Sequence, residues 1–212
     1  MEGIIDFNTF LLSGLILNIT PGSDTVFILS RSLAQGKRAG IISALGIGSG
    51  AFTHTLLTAF GLSALVTKSV LAFTIVKYAG SCYLIYIGTK MILDNSKLNL
   101  ETETTKPKES FKSIYLDGYM KNLLNPKMAI FFLAFLPQFI IPTSAHSAAP
   151  FLILGFTFTA TGTLWCVMLA TFVGHIFSGL RENPKFSLVL NKFCGAILIL
   201  LGLFVAISGN FR

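Results

Sequence analysis

Apolar positions along the chain gather into six long runs, near residues 7–30, 40–66, 69–92, 113–140, 148–178 and 187–209. Each holds about 20 apolar residues or more, enough for a helix to cross a hydrocarbon core of about 30 Å. The runs have helical length and lack the short alternation of barrel strands. The pattern predicts an all-α membrane protein with six transmembrane helices. One polar interval, 94–112, separates the runs into two sets of three and reads as a solvated linker. The chain thus divides into a first three-helix repeat (1–93), the linker (94–112) and a second three-helix repeat (113–212), all within one membrane domain.

Two of the runs are interrupted. The first contains Asn18-Ile19-Thr20-Pro21-Gly22-Ser23-Asp24, and the fourth contains Asn122-Leu123-Leu124-Asn125-Pro126-Lys127. Proline has no backbone N–H to donate and clashes with the preceding turn, and the glycine after Pro21 weakens the helix further. A helix broken at membrane depth is tolerated only where its freed backbone groups are buried in protein or line a polar cavity. Helices one and four are therefore expected to be broken.

Composition agrees with a membrane protein. Of 212 residues, 53% are hydrophobic and 12% charged, with a mean hydropathy of +0.74. Soluble domains carry about 25% charged residues. The net charge of +7 does not signal nucleic acid, because eleven of the sixteen Lys and Arg residues fall in alternate loops. These are Arg31, Lys37 and Arg38, the stretch Lys90 to Lys112, and Arg181, Lys185 and Lys192. Their placement predicts a cytoplasmic linker and both termini outside. Met1–Asp6 carries acids and no basic residue, unlike a secretory signal, so the first run is expected to be retained as a span. Cys82, Cys166 and Cys194 form no C-x-x-C pair and read as free, buried, small hydrophobes.

Three spans per half is an odd number, so the second half enters the membrane from the opposite side, as in an inverted repeat. The spacing agrees. Phe7, Gly14 and Asn18 recur as Phe111, Gly118 and Asn122, and Lys77, Gly80 and Gly88 recur as Lys192, Gly195 and Gly202. Matched interruptions in two halves point to a substrate site near the midplane, with half-helix N-termini facing an anionic group. The candidate substrate-binding or coupling residues are Asn18, Thr20, Pro21, Gly22 and Asp24 from the first break, and Asn122, Asn125, Pro126 and Lys127 from the second. Asp24 can bind a substrate amine, carry a coupling proton, or cap the helix after Pro21-Gly22, and these roles are not exclusive. Lys127 can pair with Asp24 across the repeats. Lys77 and Lys192, near span ends, read as snorkelling.

Other polar positions carry less. Gly40, Ala44, Gly46, Gly48 and Gly50 suit close helix packing. Thr157, Thr159, Thr161 and Thr163 could line a polar path, but threonines more often bond back to their own helix, and that is the expectation here. His54 has no ligand partner at helical spacing, and no metal or cofactor site is expected. The G-x-x-x-x-G-K-[ST], H-E-x-x-H and G-x-S-x-G motifs are missing, so the chain does not read as an enzyme. Energy would come from a gradient or from a partner.

Several ordered motifs resemble those of one family. Pro21-Gly22-Ser23-Asp24 is similar to a P-G-P-D element, with Ser23 in place of the second proline, and Gly36-Lys37-Arg38-Ala39-Gly40 to a G-x-R-x-G loop. Lys77-Tyr78-Ala79-Gly80 through Gly88, Asn125-Pro126-Lys127, and Phe135-Leu136-Pro137-Gln138-Phe139 continue the series. Together they resemble the LysE/RhtB family of bacterial amino-acid exporters over essentially the whole chain. The resemblance implies a six-span exporter in the bacterial cytoplasmic (inner) membrane. It would move an amino acid or related small zwitterionic metabolite outward by proton antiport, as a homodimer. Export of a metal cation or of another small metabolite is an alternative, the metal weakened by the lack of clustered Cys, His or acid ligands. A non-transporting membrane scaffold is a further one, but a scaffold would not need two matched breaks, each with a charge.

Overall fold

Residues 3–62, 70–93, 109–182 and 184–207 are described by the computed structural model. They form helices α1 (Phe7–Ile19), α2 (Ser23–Gln35), α3 (Lys37–Leu57), α4 (Val70–Leu93), α5 (Phe111–Leu123), α6 (Pro126–Ile130), α7 (Ala148–Glu182) and α8 (Pro184–Ile207). A π-helical turn extends α3 over Thr58–Leu62. Another extends α6 over Phe131–Phe135, and a 3-10 turn carries it to Phe139. Within the expected runs the described residues are helical apart from residues 20–22, residues 124–125 and Ile140, the last in an isolated bridge with Ile4. Among them, Lys37–Gly61 and Ala148–Phe172 are each long and apolar enough to cross a membrane, and the bent pair α1–α2 makes a third. The expected linker lies outside the described residues except at 109–112.

Both breaks are present. Helix α1 ends at Ile19, where the Thr20 hydroxyl donates back to the Ile16 carbonyl at 2.8 Å, and α2 leaves at 49° to it. Gly22 has extended backbone (φ −158°), which any residue adopts, and a Cβ there would meet nothing within 4 Å. The direction change is thus the work of Pro21, not of the glycine. In the second break, Asn125 caps α6: its side-chain oxygen accepts from the Lys127 amide at 3.0 Å, and Pro126 takes the first helical position, where no N–H is needed.

Small residues set the helix spacing. A Cβ at Gly50 would lie 2.9 Å from both the Asn122 Cβ and the Tyr119 carbonyl, so α3 and α5 touch backbone to backbone beside the second break. Further along, Phe10, Phe131, Phe132, Phe135, Phe139 and Phe158 pack into a core in which each is at most 2% exposed. Phe131 stacks on Phe158 with centroids 4.1 Å apart.

Two expectations fail here. Lys77 does not snorkel: it is 1% exposed, with its ammonium 5.4 Å from the Tyr78 ring centroid. Helix α4 packs against Ile130 and Ala134 at this point, and Gly80 allows the approach. Cys82 is exposed rather than buried; Cys194 is buried and Cys166 is intermediate, and all three are free thiols.

Candidate functional site

The two breaks meet at a cavity of about 350 Å³. Of the nine residues expected at a site, Asn18, Thr20, Pro21, Gly22, Asp24, Asn122, Asn125 and Lys127 line it; Pro126 does not. Proline 126 acts locally instead, starting α6.

Asp24 is the residue on which the two breaks converge. Its carboxylate accepts from Asn122 Nδ2 at 2.8 Å and from Asn125 Nδ2 at 3.4 Å, both beyond the linker in sequence, and from the adjacent Ser23 hydroxyl at 3.2 Å. It is not a helix cap: the N-cap position of α2 is Gly22, and no side chain caps there. Asp24 sits in the first turn of α2, where a negative charge suits the helix dipole, but its hydrogen bonds go across to the second break. A hydrogen bond to a charged group contributes about 1.5–3 kcal/mol, and the short one from Asn122 is the main tie between the halves here. Ser23 takes part in it, because its hydroxyl also accepts from Asn125 Nδ2 at 3.4 Å. A proline at that position could offer neither bond.

Lys127 makes no ion pair with Asp24 within 4.0 Å, whereas Arg31 pairs with Glu109 and Asp117. The proline explains what Lys127 does. In an unbroken α1 the amide of residue 21 would donate to the Leu17 carbonyl, four residues back, and Pro21 cannot. Lys127 Nζ reaches that orphaned Leu17 carbonyl at 3.5 Å. The second break follows the same rule. Pro126 leaves the Asn122 carbonyl without its helical donor, and that oxygen is met by the Asn125 amide at 3.0 Å and by His54 Nε2 at 3.3 Å. His54 is 7% exposed and stacks on Phe132 with centroids 5.7 Å apart. Each break therefore has its stray carbonyl covered by a basic side chain from another element.

Asn18 ties the first break to α7, donating to the Phe158 carbonyl at 3.3 Å and to the Thr161 hydroxyl at 3.2 Å. Of the threonines, Thr157 and Thr161 bond back to the Ile153 and Thr157 carbonyls at 2.8 and 2.9 Å, as expected. Thr159 instead pairs with Thr55 at 3.2 Å, and Thr159 and Thr163 line the cavity. The same face of α2 continues away from the cavity. Arg31 and Lys121 lie over the Phe27 ring, at 5.3 and 5.1 Å from its centroid, and Arg31 bridges Glu109 at 2.6 Å and Asp117 at 3.4 Å.

Sequence reasoning missed several lining residues. Thr159 and Thr163 had a signal in their four-residue spacing. Ile87, Met91, Met128 and Phe158 had none, being apolar residues in apolar helices.

The described residues thus form a helical bundle with a cavity between two broken helices, the kind of arrangement in which membrane transporters hold their substrates. This chain belongs to the LysE type translocator family, whose profile matches residues 15–209. It is similar to the homoserine/homoserine lactone efflux protein of Salmonella typhimurium (32% identity over 93% of this chain and 94% of the relative). It is also similar to an uncharacterized membrane protein, YrhP, of Bacillus subtilis (31%, over 90% and 93%). A third relative is the leucine efflux protein of Salmonella choleraesuis (29%, over 93% and 92%). No solved structure matches the chain.

Proposed function

We propose that this protein is a secondary exporter of an amino acid or small zwitterionic derivative, driven by proton antiport. The observation that carries this reading is the charge content of the cavity. Among the described residues, its lining holds one acid, Asp24, and one base, Lys127, each drawn from a different break. An α-amino acid carries the complementary pair, with its ammonium suited to Asp24 and its carboxylate to Lys127. A metal cation would suit Asp24 but would meet the like charge of Lys127. Asp24 also offers a proton-carrying group in contact with substrate, so proton and ammonium compete for one carboxylate, which is the minimal coupling an antiporter needs. The relatives named as amino-acid efflux proteins favour the same substrate class.

In this reading the chain has six spans as two inverted three-helix repeats, in the bacterial inner membrane, with both termini outside and the linker in the cytoplasm, and it works as a homodimer. A contact between the third helices of each half supports the repeat. A Cβ at Gly88 would lie 2.5 Å from the Gly195 carbonyl, and a Cβ at Gly202 would lie 2.9 Å from the Ser81 carbonyl. Exchanging the halves by the Gly80–Gly195 and Gly88–Gly202 correspondence turns the first contact nearly into the second. The test is proton release from acid-loaded inverted vesicles on addition of individual amino acids. The expected result is release with some of them, scaling with the amount of protein. Release that is the same in vesicles lacking the protein would overturn the reading.

A further inference from the structure

We infer that Ile87 and Met91 on α4 select the side chain of the substrate, and that the cavity takes amino acids with uncharged, apolar side chains. The inference rests on the reading of the cavity as an amino-acid site and adds to it the class of side chain admitted. Helix α4 gives two residues to the cavity, Ile87 and Met91, one helical turn apart on one face, and both are apolar and half-buried. Ile47 and Met128, from α3 and α6, extend the apolar lining. Among the described residues the lining holds two charged groups, Asp24 and Lys127, matched by the α-ammonium and α-carboxylate that every amino acid carries. A third substrate charge would then face this apolar lining without a partner, and burying a charge unpaired is costly. A basic or acidic side chain is therefore rejected by a missing partner, while an aliphatic one gains contact area. Met91 also gives the wall some adaptability, since its unbranched thioether fits irregular shapes.

The test is counterflow by the purified full-length protein in liposomes, preloaded with one amino acid and challenged with labelled leucine, methionine, lysine or glutamate. Leucine and methionine are expected to exchange faster than lysine and glutamate by at least about tenfold. Ile87→Asp should lower leucine exchange and raise lysine exchange. Should that variant fail to insert, Met91→Ala serves instead: it enlarges the slot and should move the ranking toward phenylalanine, with Met91→Leu keeping the original order. Lysine exchanging as well as leucine in the unmodified protein would overturn the assignment, as would a ranking unmoved in Ile87 and Met91 variants that still transport. In both of those results amino-acid transport itself stands. If no amino acid exchanges in any form of the protein, the transport reading falls first and the side-chain assignment with it.

Discussion

Replacing Asp24 by Asn should abolish gradient-driven export while leaving the protein inserted in the membrane. The carboxylate accepts from Asn122 at 2.8 Å, from Asn125 at 3.4 Å and from Ser23 at 3.2 Å. An amide at position 24 has one oxygen where the carboxylate has two, and its NH₂ group would be turned toward the amides of Asn122 or Asn125, donor against donor. It can neither carry a proton nor offer a charge to a substrate ammonium. The fold should tolerate the change. The bend is made by Pro21, and Asn18 keeps its bonds to Phe158 and Thr161 on α7. The measurement is proton-coupled export in inverted vesicles, with the amount of inserted protein determined by immunoblot. Export at the unmodified rate would remove Asp24 from the mechanism.

Asn122→Ala should have the next largest effect. Asn122 is 1% exposed and gives Asp24 its shortest hydrogen bond. Losing one hydrogen bond to a charged group corresponds to about 1.5–3 kcal/mol, so the apparent substrate affinity should fall by roughly ten- to a hundredfold. Asn125→Ala is the useful comparison. Its bond to Asp24 is longer, at 3.4 Å, and its other role is to cap α6 through the Lys127 amide. The expected order of impairment, read as concentration dependence of counterflow, places Asn122→Ala well above Asn125→Ala. Equal impairment would indicate that the intact second break matters and the Asp24 contact does not.

How much of this could be read from the sequence depended on whether the determinants were local. Both breaks were legible because a proline inside an apolar run has one local consequence, and Asn125 preceding Pro126 is a strong capping signal. Eight of the nine residues named from those breaks line one cavity, because each break is only a few residues long and the helices on either side are pinned. What each residue does there was less legible. Asp24 in a first turn suggests a cap, and only the packing of α5 against α3 at Gly50 brings Asn122 and Asn125 within reach of it. The pairing of Asp24 with Lys127 looked natural from charge alone. The two make no ion pair within 4.0 Å, and the Lys127 ammonium reaches the Leu17 carbonyl left over by Pro21. The matching role of His54 at Asn122 was hidden for the same reason, since no helical spacing links residues 54 and 122. Lys77 near a span end and Cys82 within an apolar run were misplaced because exposure depends on which face of α4 meets its neighbours. Ile87 and Met91 could not have been singled out at all.

Cys166 offers the most direct test of a substrate site between the two breaks, because this native thiol lines the cavity. With Cys82 and Cys194 changed to Ser, the rate at which a small maleimide labels Cys166 reports occupancy of the cavity alone. A transported amino acid should slow that labelling severalfold in a saturable manner, and Asp24→Asn should remove the protection. Labelling unchanged by saturating substrate, in protein that still transports it, would contradict a site between the breaks.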